Sequence, residues 1–142
     1  MQETDDFRVL GYVALPIDQI KKIRYGRNDK FYDKIMTLEG EIEKIGINYA
    51  IDLSDWPSIF KSIKKHQLNV IVYCENPEID GFTIGPIIKT TKNFVYIQYF
   101  DACGLLDEKP TSIDFESITK VMFDDRYINI FSKYLRARKS KK

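Results

Sequence analysis

With 142 residues, 44% of them hydrophobic and 13% aromatic, the chain has material for one packed domain, or a small domain with an extension, and is too apolar for an intrinsically disordered segment. Its 22 basic and 21 acidic residues leave a formal charge of +1, without the basic surplus usual in nucleic-acid binders. No apolar run approaches transmembrane length, and the polar, acidic N-terminus (Glu3, Asp5, Asp6) is unlike a secretory signal, so the chain reads as cytoplasmic with no membrane partner.

In chain order, Phe7 to Leu15 predicts a strand with Val9, Gly11, Val13 and Leu15 on one face and Leu10, Tyr12 and Ala14 on the other. Pro16 and Asp18 punctuate it, and Ile20 to Tyr25 predicts a second strand. Gly26-Arg27-Asn28-Asp29 is a turn in which Asn28 or Asp29 is a natural N-cap. A helix then runs from about Lys30 to Ile45. Phe31, Ile35, Leu38, Ile42 and Ile45 form a narrow apolar stripe on it, suited to one groove or one partner helix. Gly40 inside that helix costs about 1 kcal/mol relative to Ala, and Gly46 suits its C-cap. Residues 1–46 are therefore a β-β-α unit.

Residues 47–66 connect. Ile47 to Leu53 is ambiguous; Ser54 caps a short helix with Pro57 in its first turn, and Trp56, Ile59, Phe60 and Ile63 make its buried face. Residues 67–136 are strand-rich. Leu68 to Cys74 alternates, with Leu68, Val70, Val72 and Cys74 facing one way and Ile71 and Tyr73 the other. A loop is expected at Asn76-Pro77-Glu78. Phe82 to Lys89 is broken at Gly85-Pro86, because proline cannot donate to a ladder. Phe94 to Phe100, apolar on both faces, predicts a central strand. Short strands follow near Thr111 to Ile113 and at Ile118 to Phe123. Asp124 or Asp125 then caps a last helix with the face Tyr127, Ile130, Phe131, Tyr134 and Leu135. Residues 137–142 are a basic tail. The fold class implied is α+β: a small, strongly bent antiparallel β-barrel with flanking helices, preceded by the β-β-α unit.

Residues 17–25 and 115–123 resemble each other at an offset of 98, and the likeness continues into the helix that follows each. The N-terminal unit thus reads as a partial repeat. Too few residues precede Ile17 to complete its sheet, so completion is expected from the second copy, another subunit or residues absent from this chain. An unfinished sheet edge is a liability unless it is paired, and a homo-oligomer or protein partner is the expectation.

Chemistry-bearing patterns are weak. The single histidine, His66, has no ligand at metal spacing, and no nucleophile elbow or phosphate loop is present. Cys74 and Cys103 are too far apart for a metal knuckle or redox dithiol and read as buried or half-buried thiols. We therefore expect no catalytic residue, no metal ligand and no cofactor. Aromatic rings are enriched at interfaces, which singles out Tyr12, Tyr25, Tyr73, Tyr99 and Tyr127. Arg27 belongs to the basic run Arg24-Tyr25-Gly26-Arg27, and Asp124-Asp125-Arg126-Tyr127 is the least bland acidic cluster.

The run Phe82-Thr83-Ile84-Gly85-Pro86-Ile87-Ile88, then Phe94-Val95-Tyr96-Ile97-Gln98, Gly104, Ile113 and Ile118-Thr119-Lys120-Val121 resembles the five-stranded barrel of Sm-like proteins. In particular it resembles small bacterial proteins in which this barrel precedes a Tyr-rich helix. The resemblance covers about half the chain and implies that fold, with the 54–65 helix as its N-terminal helix. It also implies Asn93 as a polar loop residue at the position where Sm-like rings contact RNA. The basic pair near the last strands is missing: Asp124 and Asp125 stand there and would repel phosphate. The expectation is a non-enzymatic binding or assembly module acting through protein–protein contacts. An RNA-binding Sm-like protein is the alternative, and a small-molecule or nucleotide binder with a pocket between subunits is a second one.

Overall fold

The computed structural model describes residues 1–76 and 79–139. The fold is α+β. Gln2–Asp5 (β1) and Arg8–Ala14 (β2) form a hairpin, followed by a 3-10 turn at Ile17–Gln19 and the helix Arg27–Leu38 (α1). A second 3-10 turn, Ile42–Lys44, leads toward the helix Trp56–Lys65 (α2). Then come Val70–Asn76 (β3), Ile79–Gly85 (β4), Ile87–Thr90 (β5), Phe94–Ile97 (β6), Leu105–Leu106 (β7) and Thr111–Asp114 (β8). A 3-10 turn at Phe115–Ser117, Lys120–Phe123 (β9), Arg126–Ser132 (α3) and Arg136–Ala137 (β10) close the chain. The loop expected at Asn76-Pro77-Glu78 falls on residues 77 and 78, and the end of the basic tail on 140–142, outside the described residues.

A five-stranded antiparallel sheet has the order β1-β2-β9-β3-β4, and a three-stranded antiparallel sheet the order β5-β6-β8. The pair β7-β10 is parallel. Among the described residues these are open sheets, in place of the expected closed barrel. β3 explains the layering. Its Val70 and Val72 enter the main core with Ile59, Phe60 and Ile63 of α2 and Val95 and Ile97 of β6. Its Ile71 and Tyr73 point to a second cluster with Ile84, Phe100 and Ile128 of α3. The alternation read from Leu68 to Cys74 is thus the alternation between two cores.

The break at Gly85-Pro86 is where the chain leaves one sheet for the other. Gly85 has φ +155, and a Cβ there would lie 2.0 Å from the Gln98 carbonyl oxygen, so only glycine fits. Gly11 has a similar role in β2: a Cβ would come within 2.7 Å of the Asp125 backbone.

Several expectations fail for physical reasons. β1 was not foreseen, since its turn at Asp6 and Phe7 takes positive φ (45 and 60) without the usual Asn or Gly. Residues 20–25 form no strand: after the 3-10 turn they pair with nothing, and Ile20, Ile23 and Tyr25 are exposed. The repeat is not confirmed: the 3-10 turns at Ile17–Gln19 and Phe115–Ser117 correspond at the offset of 98 and a helix follows each, but Val121 and Phe123 are buried in a ladder where residues 23 and 25 are exposed and unpaired. The N-terminal hairpin is instead completed within the chain, by β2 pairing with β9. α1 starts earlier, capped by Gly26, whose N–H donates to Asp29 Oδ2 at 2.7 Å. It stops at Leu38 because Gly40 takes φ +73, with Gly40 N–H donating to the Thr37 carbonyl and Glu41 N–H to that of Met36. Those paired bonds are the left-handed glycine stop that ends many helices. The cap of α2 is Asp55, which accepts from Ser58 N–H at 2.8 Å, rather than Ser54. α3 ends at Ser132, and the face expected for it is met in part: Ile128 is its buried residue and Phe131 and Leu135 pack on the second cluster, whereas Tyr127, Ile130 and Tyr134 are exposed. Cys74 is half-buried but Cys103 is exposed, and both are free.

Candidate contact surface

The corner between β9 and α3 gathers the acidic cluster. Asp124 takes φ +51, turning the chain from strand to helix. Asp125 is the one buried charged residue among the described residues, at 7% exposure, and its Oδ1 accepts from Tyr127 N–H at 2.8 Å and Ile128 N–H at 3.3 Å. Its carboxylate thus satisfies two orphan donors at the positive end of α3 and is occupied in capping. Asp124 Oδ1 accepts from Asn129 Nδ2 at 2.9 Å. Val9, Leu10, Asp124, Arg126, Asn129 and Ile130 line an open hollow of about 330 Å³. Burial and the nearby Asp124 carboxylate push the Tyr49 phenol up. The charged groups lining the hollow are the Asp124 carboxylate, which already accepts from Asn129, and the Arg126 guanidinium.

The other candidates do not join it. Asn93 is exposed in the β5–β6 turn, and its carbonyl accepts from Phe115 N–H at 3.1 Å. Tyr99 is half-buried against the second core cluster. Tyr127 is 59% exposed, with its ring 5.2 Å from that of Phe131. Tyr25 and Arg27 lie at the start of α1; the Tyr25 hydroxyl donates to Asp33 Oδ2, which pushes the phenol pKa up. Among the described residues, no group of three His, Cys, Asp or Glu is placed to hold a metal ion, and no helix is long and apolar enough to cross a membrane.

The larger feature, missed in the sequence, is the arm of residues 15–55 between β2 and α2. Met36 is its single buried residue. Ile17 (86%), Ile23 (84%), Leu38 (76%) and Ile47 (79%) are almost fully exposed, and Phe31 and Leu53 are exposed as well. The arm is moored to the N-terminal hairpin by small contacts. Tyr32 stacks on Phe7 with ring centroids 4.8 Å apart. The Glu41 carboxylate accepts from Val9 N–H at 3.4 Å, and the Tyr12 hydroxyl donates to the Gly46 carbonyl at 2.5 Å. The outward face of α1 is Arg27, Phe31, Lys34 and Leu38, at spacings of four, three and four, all exposed. Of the apolar stripe read from the sequence, Phe31 and Leu38 lie on this face, while Ile42 and Ile45 fall beyond the end of α1.

The whole chain exposes 10365 Å². A compact monomer of 16.7 kDa exposes about 7,600 Å². The excess, roughly 2,700 Å², is well above the ~800 Å² that each partner contributes to an interface of ordinary size. The chain matches no family model, no curated protein and no solved structure.

Proposed function

We propose that the chain is a non-enzymatic assembly module that acts through protein–protein contacts made by residues 15–55. The observation that carries this reading is the exposed apolar content of the arm. Contiguous exposed apolar surface marks interaction sites, whereas scattered single residues do not. Here ten large hydrophobic residues between Ile17 and Leu53 are exposed in one segment. The two free thiols, Cys74 and Cys103, support a reducing compartment such as the cytoplasm.

An Sm-like relationship of residues 67–136 belongs to the same proposal. It is supported by the chain path, in which β3 lies between β4 and β9 and the strand bent at Gly85-Pro86 passes between two sheets that share a core. RNA is not the partner proposed. Asn93 and Arg27 sit on separate elements, and the corner after β9 presents the Asp124 carboxylate.

The test is site-specific photo-crosslinking in the producing cell. A benzophenone side chain at Phe31 or Leu38 is expected to form protein adducts, and one at Lys109, exposed and outside the arm, is not. Absence of any protein adduct from the arm positions overturns the reading.

A further inference from the structure

We propose that the outward face of α1 docks an amphipathic helix of another protein, one that carries a row of carboxylates beside a row of apolar side chains. This rests on the assembly reading and adds the chemistry of the partner. The order of side chains around α1 carries it. Arg27, Lys30 and Lys34, at spacings of three and four, make one row, and Phe31, Ile35 and Leu38, at spacings of four and three, make the row beside it. The three cations are exposed, as are Phe31 and Leu38, and Ile35 is half-buried. Asp29, Asp33 and Met36 make the row on the inward side, where Met36 is buried. Both carboxylates are engaged there: Asp29 Oδ2 accepts from Gly26 N–H at 2.7 Å, and Asp33 Oδ2 accepts from the Tyr25 hydroxyl. Among the described residues, none of the three cations forms an ion pair. The outward face is therefore apolar and positive, with no carboxylate of its own.

These rows narrow the choice of occupant. Paired helices join their apolar rows and select each other by the charges that flank them, so a cationic flank calls for an acidic one. A second copy of this chain brings no carboxylate to the contact, because its Asp29 and Asp33 lie on its own inward row. An anionic lipid surface or a long nucleic acid would extend past α1 over the rest of the arm. Residues 15–55 hold eight carboxylates against seven cations, and Glu39 and Glu43, exposed just after α1, would repel such a surface. Bases also stack on aromatic rings, whereas Ile35 and Leu38 are aliphatic. α1 has 12 residues and is about 18 Å long. A partner helix of about three turns covers both rows and stops short of the acids.

Binding of synthetic helices to the full chain tests the match. Three labelled probes of about 15 residues are Ala-rich so that they are helical. One carries a Leu row beside a Glu row, one the Leu row beside a Lys row, and one the Glu row with Ser in place of Leu. Fluorescence anisotropy is expected to give the Leu–Glu probe a dissociation constant at least about tenfold below that of either other probe. In the double variant Lys30→Glu with Lys34→Glu the preference should invert. The Leu–Glu probe weakens about tenfold and the Leu–Lys probe becomes the tighter, a gain of binding that an unfolded variant would not show. Lys92→Glu, on the exposed turn between β5 and β6, should bind like the unchanged chain. No binding of the Leu–Glu probe, equal binding of the Glu–Ser probe, or a preference that does not invert each overturn the proposal. Tighter binding of phosphatidylserine vesicles or of a U-rich RNA overturns it as well. Crosslinking at Leu38 separates the two levels. Adducts whose crosslinked segment, sequenced by mass spectrometry, is acidic and apolar support the partner class. Adducts only with a basic segment or with a second copy of this chain overturn it while the assembly reading stands. No protein adduct at all overturns both.

Discussion

The arm and the core are built from similar amounts of apolar material and use it differently. Residues 17–53 contain 16 apolar side chains in 37 positions, close to the 44% of the whole chain, yet Met36 alone is buried. In α2, ten residues long, Ile59, Phe60 and Ile63 are all buried, two of them at 0% exposure. The difference is what lies opposite. α2 faces strands of both sheets, whereas the outer face of α1 meets none of the described elements. Amphipathic pattern decides which face of a helix seeks cover; only tertiary or quaternary arrangement decides whether cover is present.

The largest expected effect is in the core. Phe60 is fully buried, with its ring 5.9 Å from both Trp56 and Phe115, so Phe60→Ala should cost about 3–5 kcal/mol in denaturant unfolding. Gly85→Ala comes next. Its new methyl would collide with the Gln98 carbonyl at a positive φ, and we expect about 3 kcal/mol with loss of the β4–β5 crossing. Asp125→Ala removes the cap of α3 and should cost about 1–2 kcal/mol, read as a lower thermal midpoint with hydrogen exchange fastest at Tyr127 and Ile128. Leu38→Ser on the arm sharpens the contrast. At dilutions that keep chains single, it should change stability by no more than about 0.5 kcal/mol, since Leu38 is 76% exposed. A loss as large as that of Phe60→Ala would mean that the arm is packed within its own chain.

What was legible follows the same division. The strand faces from Leu68 to Cys74, the break at Gly85-Pro86, the central position of the Phe94 strand and the buried face of α2 all came from residues whose partners are local or strongly patterned. The N-terminal edge was not legible, because the Asp6-Phe7 turn adopts positive φ without a turn signature. The failure at residues 20–25 is instructive. Ile20 and Ile23 resemble Ile118 and Val121 in type and spacing, but Ile118 and Val121 are buried while Ile20 and Ile23 are exposed. Resemblance of pattern does not supply a pairing strand. At the corner, Asp125 was legible as a cap. The hollow beside Asp124 was not, because Val9 and Leu10 reach it only through the pairing of β2 with β9.

The smallest effect concerns how the arm is held. The Lys44 ammonium, 2.5 Å from Glu41 Oε1, is the main cause of a lowered Glu41 pKa, aided by the Val9 N–H. A carboxyl whose folded pKa lies below its unfolded value stabilises the fold above the unfolded value, near 4.3, and loses that contribution as pH falls through the folded value. Neither group sits in the core, so protonating Glu41 should free the mooring at Val9 without melting the sheets. Hydrogen exchange is therefore expected to quicken at Val9 as pH falls through the lowered Glu41 pKa, below the unfolded carboxyl range, after correction for intrinsic rates, with Val72 and Val95 unchanged. Glu41→Gln should show the faster Val9 exchange already at neutral pH and remove the pH step. Equal quickening at Val72 would mean that arm and core open together, and the distinction between them would fail.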